Sequence, residues 1–317
     1  MTGNIPLLLA ALFPAVILCI YIYIKDRAEK EPIGLLIALL IAGVAICYPV
    51  VLVGKPVGNA IFAFYETFGT VVNGNLQLPK LAYYLYHLTD TMIGVALIEE
   101  GFKWLAMWLI TSRNKNFNSL FDGIVYAVFV SLGFAAFENI LYVMDYGWGT
   151  AFARMVTAVP GHMFDAVIMG CSYSMWHIYT IARKKEKKLA KQGLIQVAEP
   201  ISGKSHLKAS LILPVLAHGF YDFCCMVEED WALFAFYGFV IFLYIYCFGK
   251  VRRMSNVDGE DSHAADAILL KKYPELRGYY ANGQDAEKAK EDWKEQYRAE
   301  EEEFPQYVNW ASKEEEK

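Results

Sequence analysis

Seven apolar stretches of membrane-spanning length dominate this chain. The hydrocarbon core of a bilayer is about 30 Å thick and a helix rises about 1.5 Å per residue, so roughly 20 mostly apolar residues suffice to cross it. Residues 5–24, 33–53, 121–145, 208–227 and 231–249 meet that requirement outright. Residues 84–111 and 152–182 are long enough too, although ionisable residues interrupt them. The first stretch reads as a span and not as a cleaved leader, because its basic residues follow it and none precedes it. The expected fold is an all-α integral membrane protein, a bundle of about seven transmembrane helices with a short helical cytoplasmic tail. Residues 1–249 form the membrane body and residues 250–317 a charged tail.

Charge then orients the bundle. Lys and Arg are retained on the cytoplasmic side of a membrane. The loops after the first, third, fifth and seventh stretches carry 16 Lys or Arg residues, against 3 in the alternate loops (Lys55, Lys80 and Arg154). An odd number of spans with that alternation gives an external N-terminus and a cytoplasmic C-terminus in the cell membrane. Two regions fall outside the scheme. Residues 55–80 contain Gly, Asn and Pro breakers and read as an external interfacial helix plus loop. Residues 285–303 alternate acidic and basic side chains at helical spacing, the pattern of a short solvated helix.

Composition excludes two classes. With 56% hydrophobic residues and a net charge of −5, the chain is neither disordered nor a nucleic-acid binder. Its six cysteines show no C-x-x-C spacing and read as small apolar fillers.

Ionisable side chains inside the spans carry the functional information. Each costs about 2.5–3.5 kcal/mol at the bilayer centre on insertion scales, so it faces a partner or a wet cavity. Glu99, Glu100 and Lys103 lie in the third stretch, and Glu138 and Asn139 in the fourth. Arg154 and His162 lie in the fifth, and His218 and Asp222 in the sixth. Glu99 and Lys103 are i,i+4 neighbours, as are His218 and Asp222, so each pair shares a helix face. Glu100 points about 100° away from Glu99. At about 1.5 Å per residue, Glu99 lies about 22 Å along its helix from residue 84, and His162 about 15 Å along its own from residue 152. Pro160 and Pro214 precede the two histidines and are expected to bend their helices. Taken singly, Glu99 with Lys103 reads equally as a structural ion pair, and each histidine as a packing residue. Asp122 and Asp165 read as caps or anchors, and His87, His177, His206 and His263 as span-end or soluble-part residues. Four helices each supplying such groups point instead to one shared site.

At these residues the chain resembles the PrsW family of intramembrane proteases. The matching pieces are E-E-x-x-K at Glu99, Glu100 and Lys103, and G-F-x-x-x-E-N from Gly133 to Asn139. They continue with R…P-G-H from Arg154 to His162 and H-G-x-x-D from His218 to Asp222. The resemblance spans residues 85–230. PrsW proteins are in turn similar to the CAAX-protease and bacteriocin-processing superfamily, from which this chain departs at Glu138 and Asp222. The resemblance implies peptide-bond hydrolysis in or near the membrane, acting on a single-pass membrane protein such as an anti-sigma factor in a site-1 type cleavage. It implies Glu99, Glu100, Glu138, His162 and His218 as catalytic, with Glu99 as base, and Lys103, Asn139 and Asp222 as supporting. Two imidazoles and a carboxylate (His162, His218 and Glu138) are also a donor set for zinc with an open fourth position. No H-E-x-x-H helix is present to decide the metal. A non-catalytic membrane binder or scaffold and a proton-coupled transporter remain as other readings of buried acids and histidines. Against the transporter, no inverted repeat is visible.

Overall fold

A computed structural model describes residues 5–256 except 28, 73 and 74, together with residues 261–274 and 276. The described residues are all-α apart from one small hairpin. In chain order, α1 is Ile5–Lys25, α2 Ile33–Ala45 and α3 Cys47–Glu66, followed by β1 Thr70–Val72 and β2 Asn75–Gln77. Next come α4 Lys80–Thr89, a π-helix at Asp90–Ala96, α5 Leu97–Thr111, α6 Asp122–Tyr146 and α7 Trp148–Val156. The chain continues with α8 Ala158–Lys191, α9 Lys204–Met226, α10 Asp230–Asn256 and α11 Asp261–Lys272. Among the described residues, five helical runs are long and apolar enough to cross a membrane: α1, α2 with α3, α6, α9 and α10. The other two expected spans are also long helices, Lys80–Thr111 counted through its π segment and α8, and both carry charged residues in their apolar stretches.

The chain divides into two units, residues 1–177 with 203–261 and residues 178–202 with 262–317. In the first unit α6 is the axis. From Asp122 to Ala135 every one of its residues is buried. Small residues let its neighbours approach, as is general where lipid leaves no hydrophobic drive between helices. A Cβ added at Gly133 would collide with the Leu40 carbonyl of α2, and one at Gly43 with the Val130 carbonyl of α6. Gly147 ends α6 with a φ of +80°, a left-handed conformation that L side chains resist.

The N-terminal end of α6 anchors the α1–α2 loop. Asp122 accepts the backbone N–H groups of Asn118 and Ser119 at 2.9 and 2.8 Å. One turn on, the Tyr126 hydroxyl donates to Glu31 at 2.8 Å. The Glu31 backbone N–H donates to Asp26 at 3.1 Å. Burial pushes the Glu31 carboxyl up to about 7, with the nearby acids adding to the effect and the Tyr126 bond opposing it.

The second unit is built on a buried carboxylate. Glu186, near the end of α8, accepts the Tyr273 hydroxyl at 2.6 Å, the Ile201 N–H at 3.0 Å and the Lys272 ammonium at 3.2 Å. Those bonds and its contact with Arg183 outweigh burial and hold Glu186 below the usual carboxylate range. Lys185 pairs with Asp266 at 2.7 Å, and Leu189, Ile195, Leu269 and Leu270 are buried within this unit.

Several local expectations are corrected. Residues 55–66 are no separate interfacial helix but continue α3, with Pro56 inside it. Gly54 and Gly58 serve as contact points, a Cβ at either lying 3.9 Å from the π-helix, at Gly94 and Asp90 respectively. Beyond α3 the segment forms the antiparallel hairpin, with Val71 opposite Leu76. The fifth span begins at Ala158 and not at 152, because Thr157 leaves helical geometry (φ −120°, ψ −73°) and sets α7 apart. Pro160 therefore stands in the first turn of α8, where proline costs no hydrogen bond and bends nothing. The expected helix at 285–303 lies outside the described residues. The tail helix that is described, α11, lies upstream of it.

Candidate active site

Helices α5, α6, α8 and α9 bring their ionisable residues together, and Lys103 stands at the centre. An ammonium carries three N–H donors, and this one meets three acceptors. They are Glu100 Oε1 at 2.6 Å, Glu99 Oε2 at 3.2 Å and His162 Nδ1 at 3.2 Å. Its Nζ also lies 4.2 Å from the centroid of the Phe134 ring, a cation–π distance. The i,i+3 and i,i+4 spacings within α5 allow both carboxylates to reach it. Both do. Lys103 is only 1% exposed.

The two glutamates are not equivalent. The Glu100 side chain is fully buried, and its Oε1 accepts from both Lys103 and His218 Nδ1, the latter at 2.8 Å. Its Oε2 has no hydrogen-bond partner among the described residues. Glu99 keeps 12% of its side chain exposed and so stands at the edge of the cluster.

Each histidine is held from two sides. With Nδ1 accepting from Lys103, His162 presents Nε2–H to Glu138 Oε2 at 3.0 Å. His218 has carboxylates at both nitrogens, Glu100 at Nδ1 and Asp222 Oδ2 3.3 Å from Nε2. A doubly protonated ring satisfies both. The Arg154 guanidinium, on α7, closes the far end. It bonds Glu138 at 2.6 Å and Asn139 at 2.8 Å, and it lies 4.1 Å from the centre of the Tyr142 ring. Asn139 in turn donates to the Ala11 carbonyl of α1 at 2.7 Å, tying the site to the N-terminal helix.

All eight expected residues are thus gathered: Glu99, Glu100, Glu138, His162 and His218, with Lys103, Asn139 and Asp222. One group was not anticipated as part of the site. Asp165 is buried, with Oδ2 3.7 Å from His218 Nδ1. Its signal was present in the sequence, since it lies i+3 from His162 and therefore on the same face of α8.

The expected metal donors are regrouped. Among the described residues, the donor atoms that come within 4.8 Å of one another belong to Glu99, Glu100, His162 and His218. Glu138 lies outside that set, engaged by Arg154 and His162. Imidazole and carboxylate donors suit a borderline divalent ion such as zinc. The unpartnered Glu100 Oε2 leaves a lone pair available to one. The charges agree. Among the described residues, Glu99, Glu100, Glu138, Asp165 and Asp222 face two permanent cations, Lys103 and Arg154, and protons or a divalent ion would make up the difference. The residues fit a metal.

Comparison with known proteins agrees with the site. Residues 31–248 match the family described as PrsW family intramembrane metalloprotease. Among curated relatives, Protease PrsW of Shouchella clausii is 30% identical over 80% of this chain and 98% of its own length. Protease PrsW of Geobacillus kaustophilus is 28% identical over 72% of this chain and 83% of its own. That of Bacillus subtilis is 26% identical over 78% and 95%. No solved structure matches the chain significantly.

Proposed function

The chain belongs to the PrsW family of intramembrane metalloproteases, and from that premise we propose that Glu99 is the general base of a peptide-bond hydrolysis whose machinery is the cluster around Lys103. It is a multi-pass membrane protein acting on membrane-protein substrates. The observation that carries the assignment is the difference between the adjacent carboxylates. Glu100 is locked between Lys103 and His218, whereas Glu99 keeps an open edge. A base must reach water, and of these two neighbours Glu99 is the one with that access.

In this reading Glu99 takes a proton from the water whose oxygen attacks the scissile carbonyl. His218, facing carboxylates at both nitrogens, carries positive charge toward the developing oxyanion. The proton held by Glu99 passes to the leaving amine as the carbon–nitrogen bond breaks. Glu100 and Lys103 hold one another and His218 in place. Glu138, fixed by Arg154, orients the His162 ring. Were a metal bound, Glu100, His162 and His218 would hold it with both rings neutral and Glu99 left free as base, and it would supply Lewis acidity in place of the His218 cation; we propose zinc for its match to these donors. Residues 1–249 form the membrane-embedded catalytic body in this reading, and residues 250–317 its cytoplasmic tail. The 16-to-3 division of basic loop residues supports an external N-terminus and a cytoplasmic C-terminus. The proposed substrate is a single-pass membrane protein, with an anti-sigma factor the class that the motif resemblance implies.

The test compares membranes holding the wild-type chain with membranes holding Glu99→Gln at matched levels. Membrane proteins shortened only by the wild type bear out the assignment. Equal shortening by Glu99→Gln rejects it. Elemental analysis of the purified chain and of His218→Ala checks the metal separately, with about one zinc per wild-type chain and less in the variant expected for a three-ligand open site.

A further inference from the structure

The helix that carries Glu99 and Glu100 is not α-helical throughout. Asp90–Ala96 is a π-helix that joins directly onto α5 at Leu97. A π turn places an additional residue in the α repeat. Side chains before it are therefore rotated by about 100° relative to those after it. Within the π segment, Asp90 and Gly94 face Gly58 and Gly54 of α3. After it, Glu99 and Glu100 face Lys103, His162 and His218. Between them Met92 meets α9 at Gly219, the residue that follows His218. A Cβ built on Gly219 would lie 2.5 Å from Met92 Sδ and 3.2 Å from its Cα. A methyl group at 219 would have to displace the Met92 side chain and would press on its backbone.

We infer that the π segment and Gly219 form a positioning device. Met92 against Gly219 sets the depth and rotation of α9 relative to α5, and thereby the 2.8 Å contact between His218 Nδ1 and Glu100 Oε1. Met92 and Gly219 are positioning residues that act through His218 and Glu100. This inference rests on the reading of those two groups as part of the catalytic cluster. An all-α path through residues 90–96 would keep either the α3 contacts or the site face, but not both. The π turn reconciles them. π-bulges recur at functional sites for this kind of reason.

The test has two arms. The first needs no activity. Met92→Cys combined with Gly219→Cys is treated with a mild oxidant in membranes, and the linked peptides are sought by mass spectrometry. A disulfide between 92 and 219 is expected from the 3.2 Å approach of a Cβ at 219 to the Met92 Cα. Its absence while each single variant is present at wild-type levels overturns the inference. The second arm reads the rate on a membrane protein that the wild-type chain shortens. Gly219→Ala is expected to lower kcat per folded chain by about 10²-fold, the loss typical of a displacement near 1 Å, with KM little changed. Adding Met92→Ala removes Sδ and leaves only the 3.2 Å approach to Cα, so kcat is expected to recover in the double variant. Gly238→Ala on α10, where an added Cβ meets nothing within 4 Å, is the control and keeps the wild-type rate. A merely structural clash lowers the amount of folded chain and leaves the rate per folded chain unchanged. That result, or a loss that Met92→Ala fails to restore, overturns the inference. If the wild type shortens nothing, the proposed proteolysis fails while the cross-link still decides the packing.

Discussion

Replacing Lys103 with Met removes the centre of the charge cluster and nearly preserves its volume. The ammonium is 2.6 Å from one carboxylate and 3.2 Å from another, at 1% exposure. At an effective dielectric constant of about 20, two unit charges 3 Å apart attract by about 5 kcal/mol. Much of that offsets the cost of taking the ions out of water, and breaking a buried pair from one side typically costs about 3–5 kcal/mol. Lys103→Met is therefore expected to destabilise the chain by about that amount, a fall in Tm of about 10 °C or more at the usual scaling for a domain of this size. Combining it with Glu100→Gln removes one negative charge along with the positive one and leaves Glu99 as the nearest acid. The double variant is expected to be more stable than Lys103→Met alone, by about 2 kcal/mol in the coupling term of the cycle. Thermal unfolding of the detergent-solubilised protein at one pH and salt concentration reads all four corners. A Lys103→Met variant that melts with the wild type, or a double variant no better than the single, would refute the charge accounting.

Three further outcomes are expected. Glu99→Gln should be folded but slower by about 10²–10⁴-fold, as for loss of a general base, and Glu100→Gln strongly impaired; wild-type cleavage by both would return the pair to a structural role. Arg154→Lys should not restore activity lost in Arg154→Ala, because a single ammonium cannot reproduce the fork that holds Glu138 and Asn139 together. A fully active Arg154→Ala counts against Glu138 as the orienting group of His162. Glu31 is raised from 4.5 to about 7, so its stabilising effect is complete below pH 4.5 and is lost as pH rises through 7. Glu31→Gln keeps the neutral form at every pH, and its Tm relative to wild type should rise between about pH 5 and about pH 8, by the equivalent of up to about 3 kcal/mol; a difference constant across that range contradicts the assignment.

Much of the site was legible because charge in an apolar helix stands out. Glu99, Glu100, Lys103, Glu138, His162 and His218 are marked by the cost of burying them, and helical spacing tells which of them share a face. That Lys103 takes both glutamates and His162 at once is a tertiary fact, because spacing on α5 alone permits either carboxylate or both. Asp165 was passed over as an anchor although it shares a face with His162, since nothing in its neighbours showed that α9 would press His218 against that face. Pro56 and its flanking glycines signalled a break and proved to be a packing surface within α3, as proline and glycine in membrane helices are when neighbouring helices support the backbone. The π segment has no compositional mark at all. D-T-M-I-G-V-A is compatible with an ordinary helix, and the widening follows from contacts with α3 and α9 that only the folded chain creates.

The complete burial of α6 from Asp122 to Ala135 bears on how the protein is assembled. A helix with a lipid-facing side can enter the bilayer alone and diffuse laterally to its partners. Over those residues α6 has no such side. During synthesis α1 and α2 emerge first, with the surfaces around Ile22, Leu36 and Leu39 that are buried in the finished core. Until α6 arrives they must be shielded by lipid, by the insertion machinery or by one another. Chains that stop short of residue 146 leave that groove without its occupant and are expected to be cleared by quality control. Completion of α6 is thus the earliest point at which the α1 and α2 surfaces can be covered by this helix.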